Sequence, residues 1–163
     1  MKALVFAFWI CAIFPSLTVQ QKAPPPDLSG TWALVPSQSS FGDKQKDTTD
    51  YQVTIIQQEP EIKITAKYKL NGVNQVEEWS YYTDGRPQPT PGVKDLEIAT
   101  HWRGRKLYTS FHLSRPVDTL TEDEWQLSID GRTLTRTTRQ TFVGRFPYVK
   151  DPSQHKYVFV RRK

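Results

Sequence analysis

Cysteine is all but missing from this chain. The only one among 163 residues, Cys11, sits inside an apolar N-terminal run. If that run is removed on export, disulfides, cysteine-based zinc sites and thiol catalysis are excluded together. Histidine is scarce too: His101, His112 and His155 have no metal-ligand spacing. Gly-x-Ser-x-Gly, His-Glu-x-x-His and a phosphate-cradling glycine loop are all absent. No stretch holds a 3.6-residue apolar period long enough for a helix. These absences leave no catalytic, cofactor-binding or metal-ligating assignment. They point to a non-enzyme built from strands.

One apolar run is present, at the start. Met1-Lys2 is followed by unbroken apolar residues over 3–14, and Pro15-Ser16-Leu17-Thr18 ends the run. This is the layout of a secretory signal peptide over residues 1–20, with cleavage between Thr18 and Ala23. The run is shorter than the roughly 20 residues of a spanning helix, so no stable membrane anchor is expected after cleavage. A lipidated cysteine is excluded because bulky Trp9-Ile10 precedes Cys11. About 140 residues remain, one domain by size, and enough to bury about two thirds of the unfolded surface. Export without cysteine fits a bacterial periplasm or exterior, so the expected localisation is secreted or periplasmic. Residues 21–27 form a proline-rich lead, with Ala23-Pro24-Pro25-Pro26 as extended polyproline. Residues 28–163 form the domain.

The net charge is +5, spread along the chain apart from Arg161-Arg162-Lys163. Outside the cytoplasm such charge meets anionic lipid, polysaccharide or small acids, and no nucleic acid is expected. It also reads as an ordinary solvated surface. Nothing in the sequence assigns an oligomeric state.

Strand signals then dominate. The first is Leu28 to Val35, with Gly30 two residues before Trp32. Residues 36–50 are rich in Ser, Asp, Lys and Gln, with no helical period. Alternation marks 51–56 and 62–68, and Asn71-Gly72 gives a strong hairpin signal before a long strand over 73–83. Residues 84–95 are a Pro- and Gly-containing loop. Strands follow over 96–102 and 106–113 about a turn at Arg103-Gly104, then over 120–129 and 133–141 about Asp130-Gly131. Residues 142–155 are irregular, and 157–161 form the last strand. The pattern predicts an all-β fold, a single antiparallel up-and-down barrel of about 8–10 strands. Its first strand closes the sheet, with Trp32 as the plug.

Turn positions set registers, and a one-residue slip would swap faces. A two-residue turn at Arg103-Gly104 pairs Trp102 with Arg105, Thr100 with Leu107 and Ile98 with Thr109. Asn71-Gly72 sets Tyr68 against Gln75, Ala66 against Glu77 and Ile64 against Trp79. Asp130-Gly131 sets Leu127 against Leu134 and Trp125 against Arg136. Trp79, Trp102, Trp125, Tyr68 and Phe111 then face inward, with Gln75, Glu77 and Arg136 as polar intruders. Arg136 either holds a carboxylate or other anion, or reaches solvent or pairs with Glu77 and binds nothing. His101 and His112 fall on the opposite face, too far apart to share a metal. Thr121-Glu122-Asp123-Glu124 lacks the spacing of a calcium loop and reads as a solvated strand start.

Gly30-Thr31-Trp32-Ala33-Leu34 followed by Ser39-Ser40-Phe41 is similar to the opening of the calycin superfamily, the lipocalins and fatty-acid-binding proteins. Tyr157-Val158-Phe159-Val160-Arg161-Arg162 is similar to the closing strand of those barrels. The phrases Tyr82-Thr83-Asp84-Gly85, Trp102-Arg103-Gly104 and Asp130-Gly131-Arg132-Thr133-Leu134 resemble secreted bacterial lipocalin-like proteins. The resemblance implies a basic residue, Arg161 or Arg162, packed over Trp32, with Gly30 and Trp32 completing the barrel closure. The chain departs from the pattern: no helical lid follows the first strand, and neither a disulfide nor a C-terminal helix is evident.

Two functions follow from this reading. One is a binding barrel for a small apolar or amphipathic ligand, held by Tyr68, Glu77, Trp79, Trp102, Phe111, Trp125 and Arg136. The alternative is a solid barrel that grips a protein or envelope polymer through loops 84–95 and 142–155. Barrels of this strand number either fill with side chains or enclose one small ligand. An interior cavity favours the first, and a filled interior favours the second.

Overall fold

A computed structural model describes residues 23–42, 45, 47–90, 93–115, 118–142 and 153–162. The expected signal peptide and most of loop 142–155 lie outside the described residues. The strands are β1 (Gly30–Leu34), β2 (Thr48–Gln58), β3 (Glu61–Leu70), β4 (Val73–Tyr82), β5 (Gln88–Pro89), β6 (Leu96–Arg103), β7 (Lys106–Leu113), β8 (Thr119–Leu127), β9 (Thr133–Phe142) and β10 (Ser153–Arg161). All pair antiparallel in one sheet, in the order β4-β3-β2-β1-β10-β9-β8-β7-β6-β5. The fold is all-β, an up-and-down antiparallel sheet curled into a half-barrel. The segment between β1 and β2 includes the 3-10 turn Pro36–Gln38. No described helix is long and apolar enough to cross a membrane.

The first strand joins β2 to the last strand, as the sequence predicts. Trp32 pairs with Val53 of β2 on one side and Arg161 of β10 on the other. The free edges are therefore β4 and β5–β6. They meet at one end only, where Asp84 bridges His101 and the Gly85 N–H donates to the Thr100 carbonyl at 2.8 Å. The proline-containing stretch read as plain loop supplies β5, which pairs Gln88 with Ile98 and Pro89 with Glu97. Proline is tolerated there because an edge strand need not donate on both sides.

Registers at Asn71-Gly72 and Asp130-Gly131 match the expected pairs, including Ile64 with Trp79 and Trp125 with Arg136. The β6–β7 register differs: Arg103 pairs with Lys106, Trp102 with Leu107, Thr100 with Thr109 and Ile98 with Phe111. Its loop is Gly104-Arg105, with Gly104 at φ 60°. A glycine-first hairpin turn places its glycine there, since the first loop position needs positive φ. The slip is two residues, so the inward face is unchanged.

Period-2 alternation sends one side of every long strand to the core. Trp32, Val53, Ile55, Ile62, Ile64, Ala66, Leu107, Trp125, Leu127, Leu134 and Phe159 are buried together. Trp79, Trp102 and Phe111 pack partly buried against them.

Candidate functional site

The two ends of the barrel are chemically different. The closed end is organised on Trp32, which is fully buried and donates from Nε1 to the Leu28 carbonyl at 3.0 Å. The Arg161 guanidinium lies 4.3 Å from the Trp32 ring centre and donates to the Ser29 carbonyl at 2.9 Å. Gly30 makes this approach possible: a β-carbon there would stand 2.9 Å from Arg161 Nη1, and its φ is 135°. Arg161 therefore takes the packing place that the sequence left open between two arginines. Arg162 is exposed and contributes its backbone N–H to the Thr31 carbonyl at 2.8 Å. Trp102 belongs to this end, where its Nε1 donates to Glu59 Oε1 at 2.9 Å. It borders a cavity of about 480 Å³ together with Ala23, Pro24 and Pro25 of the proline-rich lead.

In the interior, β8 and β9 set Trp125 beside Arg136. Arg136 is ion-paired to Asp123, with Nε donating to Oδ2 at 3.0 Å and Nη2 to the same oxygen. Its partner is thus Asp123 and not Glu77, whose Oε1 accepts from the Tyr68 hydroxyl at 2.6 Å. Burial, the largest single influence, would lower the Arg136 pKa, but the Asp123 charge and hydrogen bond together with Tyr51 and Tyr157 outweigh it, and the net direction is upward. Rings of Trp125, Tyr157 and Trp79 stand 5.2, 5.5 and 5.9 Å from the guanidinium carbon, within reach of cation–π attraction.

Above this pair opens a cavity of about 260 Å³, lined by Phe41, Thr48, Tyr51, Tyr68, Leu70, Glu77, Trp79, Arg136 and Tyr157. Its aromatic wall is continuous. Tyr51 stacks on Tyr68 at 5.0 Å, and Phe41 stacks on Tyr157 at 4.8 Å. Burial pushes the Tyr51 phenol up to about 12, and the hydrogen bond to Glu77 pushes Tyr68 up to about 12. Burial raises Tyr157 as well. A second cleft, of about 590 Å³, follows the gap between β4 and β5–β6 and is lined by Trp79, Tyr81, Arg86, Gln88 and Ile98, among others. Trp79 is a wall of both.

The residues singled out from sequence distribute accordingly. Tyr68, Glu77, Trp79 and Arg136 line one cavity. Trp125 is buried, stacked on Phe159 at 6.2 Å and beside the Arg136 guanidinium. Phe111 sits edge-on to Tyr81 at 6.1 Å, and Trp102 lies at the closed end. Sequence reasoning missed Tyr51, Phe41 and Tyr157 as lining, and above all Asp123. The acidic run 121–124 is not a uniformly solvated strand start: Glu122 is exposed, whereas Asp123 is 2% exposed. Alternation through Asp123, Trp125 and Leu127 was the signal that could have placed it inward. Glu124 pairs with Lys106 at 2.7 Å on the outer face.

No protein-family model and no curated protein matches the chain. Among solved structures it is similar to a mutant of the fluorescent protein UnaG, at 12% identity and a TM-score of 0.49, over 83% of this chain and 96% of that one. It is also similar to secretory abundant heat soluble protein 4 from Ramazzottius varieornatus, at 14% identity and a TM-score of 0.49, over 83% and 94%.

Proposed function

We propose that the protein is an exported binding barrel for a small apolar or amphipathic molecule and that it carries out no catalysis. The carrying observation is the cavity of about 260 Å³ walled by Phe41, Tyr51, Tyr68, Trp79 and Tyr157. Ligand sites are concave, mainly apolar and furnished with a few convergent polar groups. That description fits this wall with Arg136 and Glu77. The adjoining cleft of about 590 Å³ shares Trp79 and extends the room for an apolar body. Export, to a bacterial periplasm or exterior, is supported by the charged start and apolar run over residues 1–14.

Tryptophan fluorescence tests binding directly, because Trp79 borders both spaces. Titration with decanoic acid, decanamide and decanol should give a saturable change that Trp79→Phe reduces. A flat response to all three ends the binding reading. N-terminal sequencing of exported protein should begin near residue 20, and material beginning at Met1 refutes export by signal cleavage.

A second reading has its own observation. Strand β4 is a free sheet edge whose Val73 and Val76 are each 60% exposed, and such an edge can pair with another chain. Under that reading the interior binds nothing, and sedimentation with an envelope extract, not fluorescence, reports the partner.

A further inference from the structure

The lining of the cavity of about 260 Å³ carries two ionised side chains, Arg136 and Glu77. Only one of the two charges is spent inside the protein. Arg136 is neutralised by Asp123, which accepts from both Nε and Nη2 on Oδ2. Glu77 has no counterpart, since none of the ion pairs among the described residues includes it. Its cross-strand neighbour is the uncharged Ala66, and Lys69 further along β3 is engaged by Asp50 at 2.8 Å. The Tyr68 hydroxyl donates to Glu77 Oε1 at 2.6 Å, which fixes the carboxylate at the cavity wall without cancelling its charge. Arg136, Asp123 and Glu77 together leave one negative charge.

The rest of the wall is largely aromatic. Phe41, Tyr51, Tyr68, Trp79 and Tyr157 line it, with the Tyr51 ring 5.0 Å from Tyr68 and 6.2 Å from Tyr157. Ring faces attract a cation within about 6 Å, more strongly when it is desolvated. Trp79 and Tyr157 already show this, standing 5.9 and 5.5 Å from the Arg136 guanidinium carbon. A carboxylate ligand would meet Glu77 as a like charge and find no unspent cation. A zwitterionic phosphate head would bring an anion that nothing here neutralises. We infer that the cavity selects an amphiphile with a single positive charge, an alkyl amine or quaternary ammonium, held by Glu77 among the rings of Tyr51, Tyr68, Trp79 and Tyr157. This rests on the binding-barrel reading and narrows its ligand class.

Decyltrimethylammonium, decanol and decanoate share one apolar body and differ in the head, so tryptophan fluorescence titration separates the two claims. Decyltrimethylammonium should bind about tenfold more tightly than decanol, with decanoate the weakest. Glu77 is exposed, so Glu77→Gln spares the core and keeps an acceptor for Tyr68. It should weaken the cation about fivefold and leave decanol unchanged. Tyr51→Leu keeps an apolar wall without the ring and should weaken the cation about threefold relative to decanol, with far-UV circular dichroism confirming the fold. Decanol or decylphosphocholine binding as tightly as decyltrimethylammonium in the wild type overturns the inference but leaves the binding barrel standing. So does a Glu77→Gln variant with unchanged affinity for the cation. A response to the cation with none to decanol, decanamide or decanoate marks attraction to the outer surface, and both claims then fall. They fall equally if nothing binds.

Discussion

Removing Asp123 while keeping Arg136 leaves a cation inside the barrel without its counter-charge. Breaking a buried pair from one side costs about 3–5 kcal/mol. Two features place this case at the low end. The Arg136 side chain keeps 19% of its surface in solvent, against 3% for Asp123. Three aromatic rings within 5.9 Å also continue to stabilise the guanidinium. Asp123→Leu should therefore cost about 3 kcal/mol, which for about 140 residues lowers the melting temperature by about 10 °C. The double variant Asp123→Leu, Arg136→Met removes both charges and fills the space with apolar atoms. Replacing a whole buried pair in this way is often neutral or stabilising, so the double variant should return to within about 1 kcal/mol of wild type. Urea unfolding followed by tryptophan fluorescence reads all three, since Trp79 and Trp125 flank the pair. An Asp123→Leu penalty below about 1 kcal/mol, or a double variant no better than the single, refutes the claim that this carboxylate holds the guanidinium.

Trp32→Ala should destabilise by about 3–5 kcal/mol, as core aromatic truncations do, and a loss under 1 kcal/mol in urea unfolding would remove Trp32 as the closure plug. Gly30→Val should also destabilise, because its β-carbon meets Arg161 Nη1 and its φ of 135° disfavours any side chain; unchanged unfolding contradicts that packing. The raised phenols make alkaline stability a third check. Tyr51 and Tyr68 stand at about 12 in the fold against an ordinary 10.0, so their neutral forms favour the folded state below pH 10 and that stability is lost as pH rises from 10 to 12. Phenolate absorbance should rise together with loss of the far-UV signal, and free titration near pH 10 with the fold intact refutes the assignment.

The elements legible in the sequence were those set by local chemistry. Asn71-Gly72 admits one tight hairpin, and Asp130 fixes its own turn by accepting from Ser128 Oγ at 2.5 Å and from the Arg132 N–H at 3.1 Å. Both registers could therefore be read from residues alone. Gly104 could stand first or second in its loop, and alternation cannot choose, because a slip of two leaves every side chain on its own face. Asp123 was obscured by charged neighbours on both sides, although the inward positions of Trp125 and Leu127 implied its direction. Its pairing with Arg136 is diagonal across the β8–β9 hairpin, where long side chains reach. Glu77 could be dismissed as the partner only from the curvature of the barrel, which no local pattern encodes. Tyr51 faces the cavity beside a β-bulge between Thr49 and Gln52. A strict period of two cannot be extended through a bulge, because the extra residue breaks the alternation.

The closed end is tied together by hydrogen bonds. At the closed end Trp32, Arg161 and Trp102 all have hydrogen-bond acceptors, and Gln57 joins strand to lead by accepting from the Leu28 N–H at 2.9 Å and donating to the Pro26 carbonyl at 3.2 Å. A satisfied network rigidifies the elements it connects, so that end holds the sheet curled whether or not anything is bound. The buried side-chain atoms without partners among the described residues are Thr90 Oγ1, Asp123 Oδ1, Thr138 Oγ1 and His155 Nδ1, and none of them belongs to that network. The cavity lined by Tyr51, Tyr68 and Glu77 shares no residue with it either. Trp32→Ala should accordingly lower stability without altering the order of ligand preference, and Glu77→Gln, at the cavity wall, should alter that order with little change in stability. If the two variants exchange those effects, the division between a structural end and a binding end does not hold.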